Sequence, residues 1–130
     1  MNNLTWHCQL ILANDQDCAC ACECLITHVM SKVYHRYDGR AYEDQRGARI
    51  YILAQFIRAY VEEVTDAKNE YRFRRPMENE LLLGALQEID FRSIAEAMIG
   101  DYSPKTAEEV AESEEYFEVM GFGNYDIDED

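Results

Sequence analysis

The sequence predicts an all-α fold: a single compact bundle of five to six helices, closed by an acidic C-terminal helix and tail. Apolar residues recur at helical spacing in one segment after another, the breaks fall on capping residues, glycine or proline, and no stretch needs a strand to explain it. With 130 residues, 48% of them hydrophobic, the chain can bury one ordinary core. Residues 1–100 are expected to form that core, with residues 101–130 packed on it or extending from it.

The elements follow in order. Leu4, Trp6, Leu10 and Ile11 mark a short first helix, interrupted by Asn14-Asp15, residues that favour turns and caps. From Gln16 the stripe Cys18, Cys22, Leu25, Ile26, Val29, Met30 and Val33 predicts a second helix of about five turns, ending before Tyr37-Asp38-Gly39-Arg40. A polar loop is expected to run to Gly47. Ile50, Leu53, Ala54, Ile57, Tyr60, Val61 and Val64 then give a third helix, although Arg49 to Leu53 alone would pass for a strand.

Pro76 disfavours helix at Arg75, so a fourth helix carrying Met77, Leu81, Leu82, Ala85, Leu86 and Ile89 should start there. Asp90 caps a fifth, with Phe91, Ile94, Ala95, Met98 and Ile99 inward and Gly100 at its end. Two helices joined so tightly suggest a helix-turn-helix, but Phe91 to Glu96 offers one basic residue where a DNA-reading helix needs several. Thr106-Ala107-Glu108-Glu109 has the form of a capping box and predicts a sixth helix over about 107–119. On it, Val110, Ala111, Phe117 and Met120 are expected to rest on the body. Gly121-Phe122-Gly123 reads as a flexible joint that lets Tyr125 and the last acids swing.

Cysteines fall at alternate positions, Cys18, Cys20, Cys22 and Cys24, with Cys8 apart. An odd, crowded set is a poor disulfide framework. A soft-metal site joined by His7 or His28 is the functional alternative. On a helix, however, alternate side chains diverge by about 200° and cannot share an ion. Cys18 and Cys22 should therefore line one face and Cys20 and Cys24 another, as small residues in close helix contacts. No cofactor and no metal is expected.

Charge is distributed unevenly. The formal net charge is −14, and residues 101–130 carry 11 carboxylates against Lys105 alone. Residues 1–100 hold 11 basic and 15 acidic side chains, so the arginines at Arg36, Arg40, Arg46, Arg49, Arg72, Arg74 and Arg75 have no net attraction for phosphate behind them. They are expected to pair with carboxylates, those of the C-terminal helix or of a second copy among them. Glu108, Glu112, Glu115 and Glu118 share an outer strip, where each like-charge pair costs roughly 0.2–0.5 kcal/mol. A cost with no structural return suggests use. These four, with Asp126 and Asp128, are the candidate partner contacts, and Tyr116 and Tyr125 the candidate anchors.

Catalytic signatures are missing from the sequence. It has no G-x-S-x-G, glycine-rich phosphate loop, H-E-x-x-H or Glu-x-x-His pattern, and no local partner for His7, His28 or His35, so an enzyme is not expected. No apolar run is long enough to span a membrane, and Leu10 to Ala13 lacks the setting of a signal peptide. The bacterial cytoplasm is the expected location.

Asn2 with Thr5-Trp6, the Asn14-Asp15-Gln16 break, Tyr60-Val61-Glu62-Glu63 and Glu88-Ile89-Asp90-Phe91-Arg92-Ser93-Ile94-Ala95-Glu96 resemble a family of short proteins of unassigned function carried by phages and plasmids. The resemblance covers about residues 2–99 and brings no binding residues. The cysteine run and the acidic end depart from it. By origin and charge such a chain is similar to anti-CRISPR and anti-restriction inhibitors. That analogy implies a non-enzymatic DNA mimic whose partner is the basic DNA-binding surface of a host CRISPR effector or restriction complex. Direct nucleic-acid and membrane contacts are not expected, and a homodimer is possible. The alternative is a helical phage adaptor or self-associating module working through the Arg72 to Arg75 region.

Overall fold

The computed structural model describes residues 2–65 and 76–127. Its fold is all-α. The helices are α1 (Asn3–Asn14), α2 (Gln16–Met30), α3 (Gln45–Val64), α4 (Pro76–Glu88), α5 (Phe91–Gly100) and α6 (Ala107–Val119), followed by a 3-10 turn at Phe122–Asn124. Extended pairing among the described residues is limited to one isolated antiparallel bridge between His35 and Ala41.

Helix α2 packs against α1, α3 and α6, while α3 also packs on α5. The core reflects this arrangement. Leu25 and Val29 of α2, Leu53 and Ile57 of α3 and Ala95 of α5 are all fully buried. Asp15 lies between two helices: its backbone N–H bonds to the Ile11 carbonyl and its carboxylate accepts from the Cys18 N–H at 3.0 Å. One capping residue thus ends α1 and starts α2.

Helix α2 is shorter than its apolar stripe suggests. It stops at Met30 and leaves Val33 outside, 58% exposed. The chain then makes a tight hairpin, in which the Arg36 N–H donates to the Arg40 carbonyl at 2.7 Å. Gln45 fastens the hairpin by accepting from the Tyr34 N–H and donating to the Tyr34 and Tyr42 carbonyls, each at 2.8 Å. That anchor starts α3 at Gln45, earlier than the expected loop to Gly47. Asp44 caps it by accepting from the Gly47 N–H at 2.8 Å, and a Cβ at Gly47 would collide with the capping carboxylate.

Helix α1 departs most from its pattern. It buries Thr5 and Leu12, whereas Trp6 and Ile11 are exposed. Its first turn is held by polar contacts instead. The Asn2 side chain donates to the Glu88 carbonyl at 2.9 Å, and the Thr5 hydroxyl accepts from the Asp90 N–H at 2.8 Å. Those bonds dock α1 on the α4–α5 junction, where Asp90 caps α5 through Ser93. In α4, Leu86 is buried, but Met77 and Leu81 of the expected stripe face outward.

Candidate functional site

Helix α6 begins at a capping residue. The Thr106 hydroxyl accepts from the Glu109 N–H at 3.2 Å and lies 3.1 Å from the Glu109 carboxylate. Glu109 thus reaches the cap's hydroxyl, where an ideal capping box uses the cap's backbone N–H. Glu108 and Glu109 in the first turn suit the positive end of the helix.

The inner face of α6 is tied to α2 by three kinds of contact. The Cys24 thiol donates to the Ser113 carbonyl at 3.2 Å. His28 Nδ1 lies 2.8 Å and 3.0 Å from the two Glu114 carboxylate oxygens. The Phe117 ring stacks on His28 with centroids 3.8 Å apart and planes 8° from parallel, and it meets Phe56 edge-on at 5.8 Å. Just before α6, Lys105 pairs with Glu23 of α2 at 2.7 Å. The buried Phe117 anchors the helix, and the polar ties fix its rotation.

Rotation decides which acids face solvent. Glu108, Glu109, Glu112, Glu115 and Glu118 are exposed, and among the described residues none of them is in an ion pair. Helical geometry puts Glu108, Glu112 and Glu115 at the centre of the outer face with Glu118 on its shoulder. Glu114 is turned inward to His28. Asp126 is exposed beyond the 3-10 turn, while Asp128 lies outside the described residues.

The two anchor tyrosines differ. Tyr116 is 37% exposed, at the margin between α6 and α2. Tyr125 turns inward, with ring centroids 5.6 Å from Phe122 and 6.3 Å from Phe56, and its enclosed hydroxyl lies toward the Glu63 carboxylate. Burial, then the nearby Glu63 carboxylate, push its phenol far above the ordinary range. Tyr125 is therefore half-buried, its ring packed against the core rather than standing clear of it. The flexible joint is corrected for the same reason. Gly121 adopts φ +76, a left-handed conformation glycine reaches freely, and the turn it makes drives Phe122 into the core at 1% exposure.

The cysteines divide as their spacing predicts. Cys18 and Cys22 face Cys8 of α1 and Tyr60 of α3, whereas Cys20 and Cys24 face α6. Burial raises the thiols of Cys8, Cys18 and Cys24 and pushes Cys22 up to about 12, so these are poor thiolates. Among the described residues no group of three His, Cys, Asp or Glu side chains is placed to hold a metal.

Among the described residues no arginine is paired with an acid of α6. Arg36 pairs with Asp38 at 2.9 Å, and Arg49 donates to the Lys32 carbonyl just past α2 at 2.8 Å. Arg36 thus pairs with a neighbouring carboxylate as expected, and it is α2 that lies beneath α6. Arg72, Arg74 and Arg75 lie outside the described residues. Sequence reasoning missed Glu23, Lys105 and Cys20, which α2 and the approach to α6 bring together along one groove. Cys20 and Cys24 at i and i+4 were the available signal for that face.

This arrangement defines an all-α chain that presents a carboxylate-rich helix on a fixed scaffold. Comparison with protein-family models, curated proteins and solved structures returns no match. No helix among the described residues is long and apolar enough to cross a membrane.

Proposed function

We propose that this chain is a non-enzymatic inhibitor carried by a phage or other mobile element, acting as an acidic DNA mimic. Its target is the basic DNA-binding surface of a host CRISPR effector or restriction complex, and it occupies the place where duplex DNA enters or its PAM is read. The observation that carries this reading is α6. Five exposed glutamates lie on its 13 residues, so the helix presents about one carboxylate per 4 Å, comparable to the roughly 3.4 Å charge spacing along one strand of duplex. Glu114 is tied to His28 and Glu109 accepts from the Thr106 hydroxyl, while Glu108, Glu112, Glu115 and Glu118 face solvent toward any cationic surface. The exposed Tyr116 adds aromatic contact area.

Capture by the immobilised chain from lysate of a CRISPR- and restriction-bearing bacterium tests this. A DNA-binding immune complex should be retained at low salt, released at high salt and displaced by added duplex. Neutralising Glu108, Glu112, Glu115, Glu118, Asp126 and Asp128 to their amides should abolish capture while helicity stays unchanged. Capture indifferent to those amides, or to duplex, overturns the proposal.

A second reading has its own observation. Trp6, Ile11, Met77 and Leu81 are 53%, 62%, 73% and 68% exposed on two helices that touch, and apolar side chains gathered in one exposed patch mark an interaction surface. Self-association through α1 and α4 would cover it. Concentration-dependent sedimentation, lost in an Ile11→Glu and Leu81→Glu variant, would favour that reading.

A further inference from the structure

Between α2 and α6 runs a groove of about 540 Å³. Its lining is mainly apolar, with Ala19, Cys20, the Thr27 side chain and the Tyr116 ring. Acids line it as well: Glu109 and Glu112 from α6 and Glu23 from α2, against the single cation Lys105. Lys105 is already engaged with Glu23 at 2.7 Å. The chain thus pairs its own amine with one carboxylate of the groove; Glu109 shares the field of that same ammonium, and Glu112 has no cation among the described residues.

We propose that this groove receives an arginine side chain of a basic partner protein; the inference rests on the reading above only in taking that partner to be basic. Charge selects a cation. A metal ion is disfavoured because no three ligating side chains converge among the described residues. Apolar lining beneath a carboxylate rim fits a side chain with an aliphatic stem and a charged head, which narrows the choice to lysine or arginine. Tyr116 and the carboxylate pair decide between them. A guanidinium stacks flat on a tyrosine ring and forks to carboxylate oxygens, whereas an ammonium is a compact, strongly hydrated point charge. Glu109 keeps acceptor capacity for this role, because the Thr106 hydroxyl engages one of its two oxygens. The outer strip then supplies long-range attraction, and the groove fixes where one arginine lands.

The test is a nitrogen-15 amide titration of the full chain with the peptide acetyl-Gly-Arg-Gly-amide and with its lysine and citrulline counterparts. Saturable shifts are expected at Cys20, Cys24, Ser113 and Tyr116, with the arginine peptide binding about threefold to tenfold more tightly than the lysine peptide and citrulline producing none. Glu112→Gln and Tyr116→Ala should each weaken arginine binding by about fivefold, while Glu43→Gln, on the loop before α3, should not. Equal binding of arginine and lysine, or shifts spread over the whole surface without saturation, overturns the proposal. Failure here is separable from failure of the decoy reading. Groove shifts without duplex-competitive capture remove the decoy and keep the groove, and the opposite pair of results does the reverse.

Discussion

Helices α1 and α6 invert what their compositions suggest. α1 reads NLTWHCQLILAN and buries Thr5 and Leu12, leaving Trp6 and Ile11 in solvent. α6 reads AEEVAESEEYFEV and is held to α2 by a thiol, an imidazole and a stacked phenyl ring. Apolar content therefore did not decide which helix is well fastened. Both helices use polar groups that bond to a neighbour, and α6 adds one large ring offered to the core. An acidic helix can be rigid when its acids occupy the face its anchor does not need.

The strongest way to break this comparison is to remove the ring that the turn after α6 sends into the core. Phe122→Ala should cost about 3–5 kcal/mol, because its ring meets Tyr60, Tyr116, Phe117 and Tyr125 and is 1% exposed. Urea unfolding with intact slope would read that loss directly. A cost below about 1 kcal/mol would mean that the C-terminal turn is a passenger and that Phe117 and the polar ties hold α6 without it.

Within α1 the contrast between neighbours is sharper. Leu12→Ala should cost about 2–5 kcal/mol, and Ile11→Ala should stay within about 0.5 kcal/mol, since the first is 6% exposed and the second 62%. Thr5→Val falls between them. It keeps the side-chain shape but leaves the Asp90 N–H without its 2.8 Å acceptor, at about 1–3 kcal/mol. Equal effects at positions 11 and 12 would show that the outward face of α1 is covered in solution. Trp6, the single tryptophan, reports the same thing: water-like emission open to a soluble quencher is expected, and protection from the quencher would contradict an open face.

Most of the fold was legible because breaks and caps are local. Asn14-Asp15, Pro76, Asp90 and Thr106 each mark a helix boundary through chemistry that needs no tertiary partner. The division of the cysteines between two faces was legible for the same reason. Orientation was not. Val33 fits the stripe of α2 yet lies beyond its end, because the hairpin that Gln45 holds competes for the chain there. Phe122 lies between two glycines, and only a core waiting to receive it turns that sequence from a hinge into an anchor. The outer strip of α6 followed from spacing alone. Glu23 and Lys105 entered the groove only once α6 was laid on α2, a non-local event.

The smallest expected effect separates the two helices by acid. The Asp15 carboxylate is held below the usual range chiefly by the backbone N–H of Cys18, and Asp90 chiefly by the Ser93 hydroxyl and then its N–H. A carboxylate depressed in the folded state contributes stability above its unfolded value, about pH 4, and loses it as pH falls through the depressed value. The junctions that hold both ends of α1 should therefore loosen below about pH 4. α6 differs at its start, because its cap is Thr106, which does not titrate. Amide exchange measured from pH 5 to pH 2.5 should quicken at Cys18 and Ser93 relative to Glu109, after correction for intrinsic rates. Asp90→Asn keeps an acceptor while removing the titration, and should flatten the response at Ser93 alone. Parallel loosening of all three amides would mean that acid acts on the whole bundle and that α1 and α6 are not independently fastened.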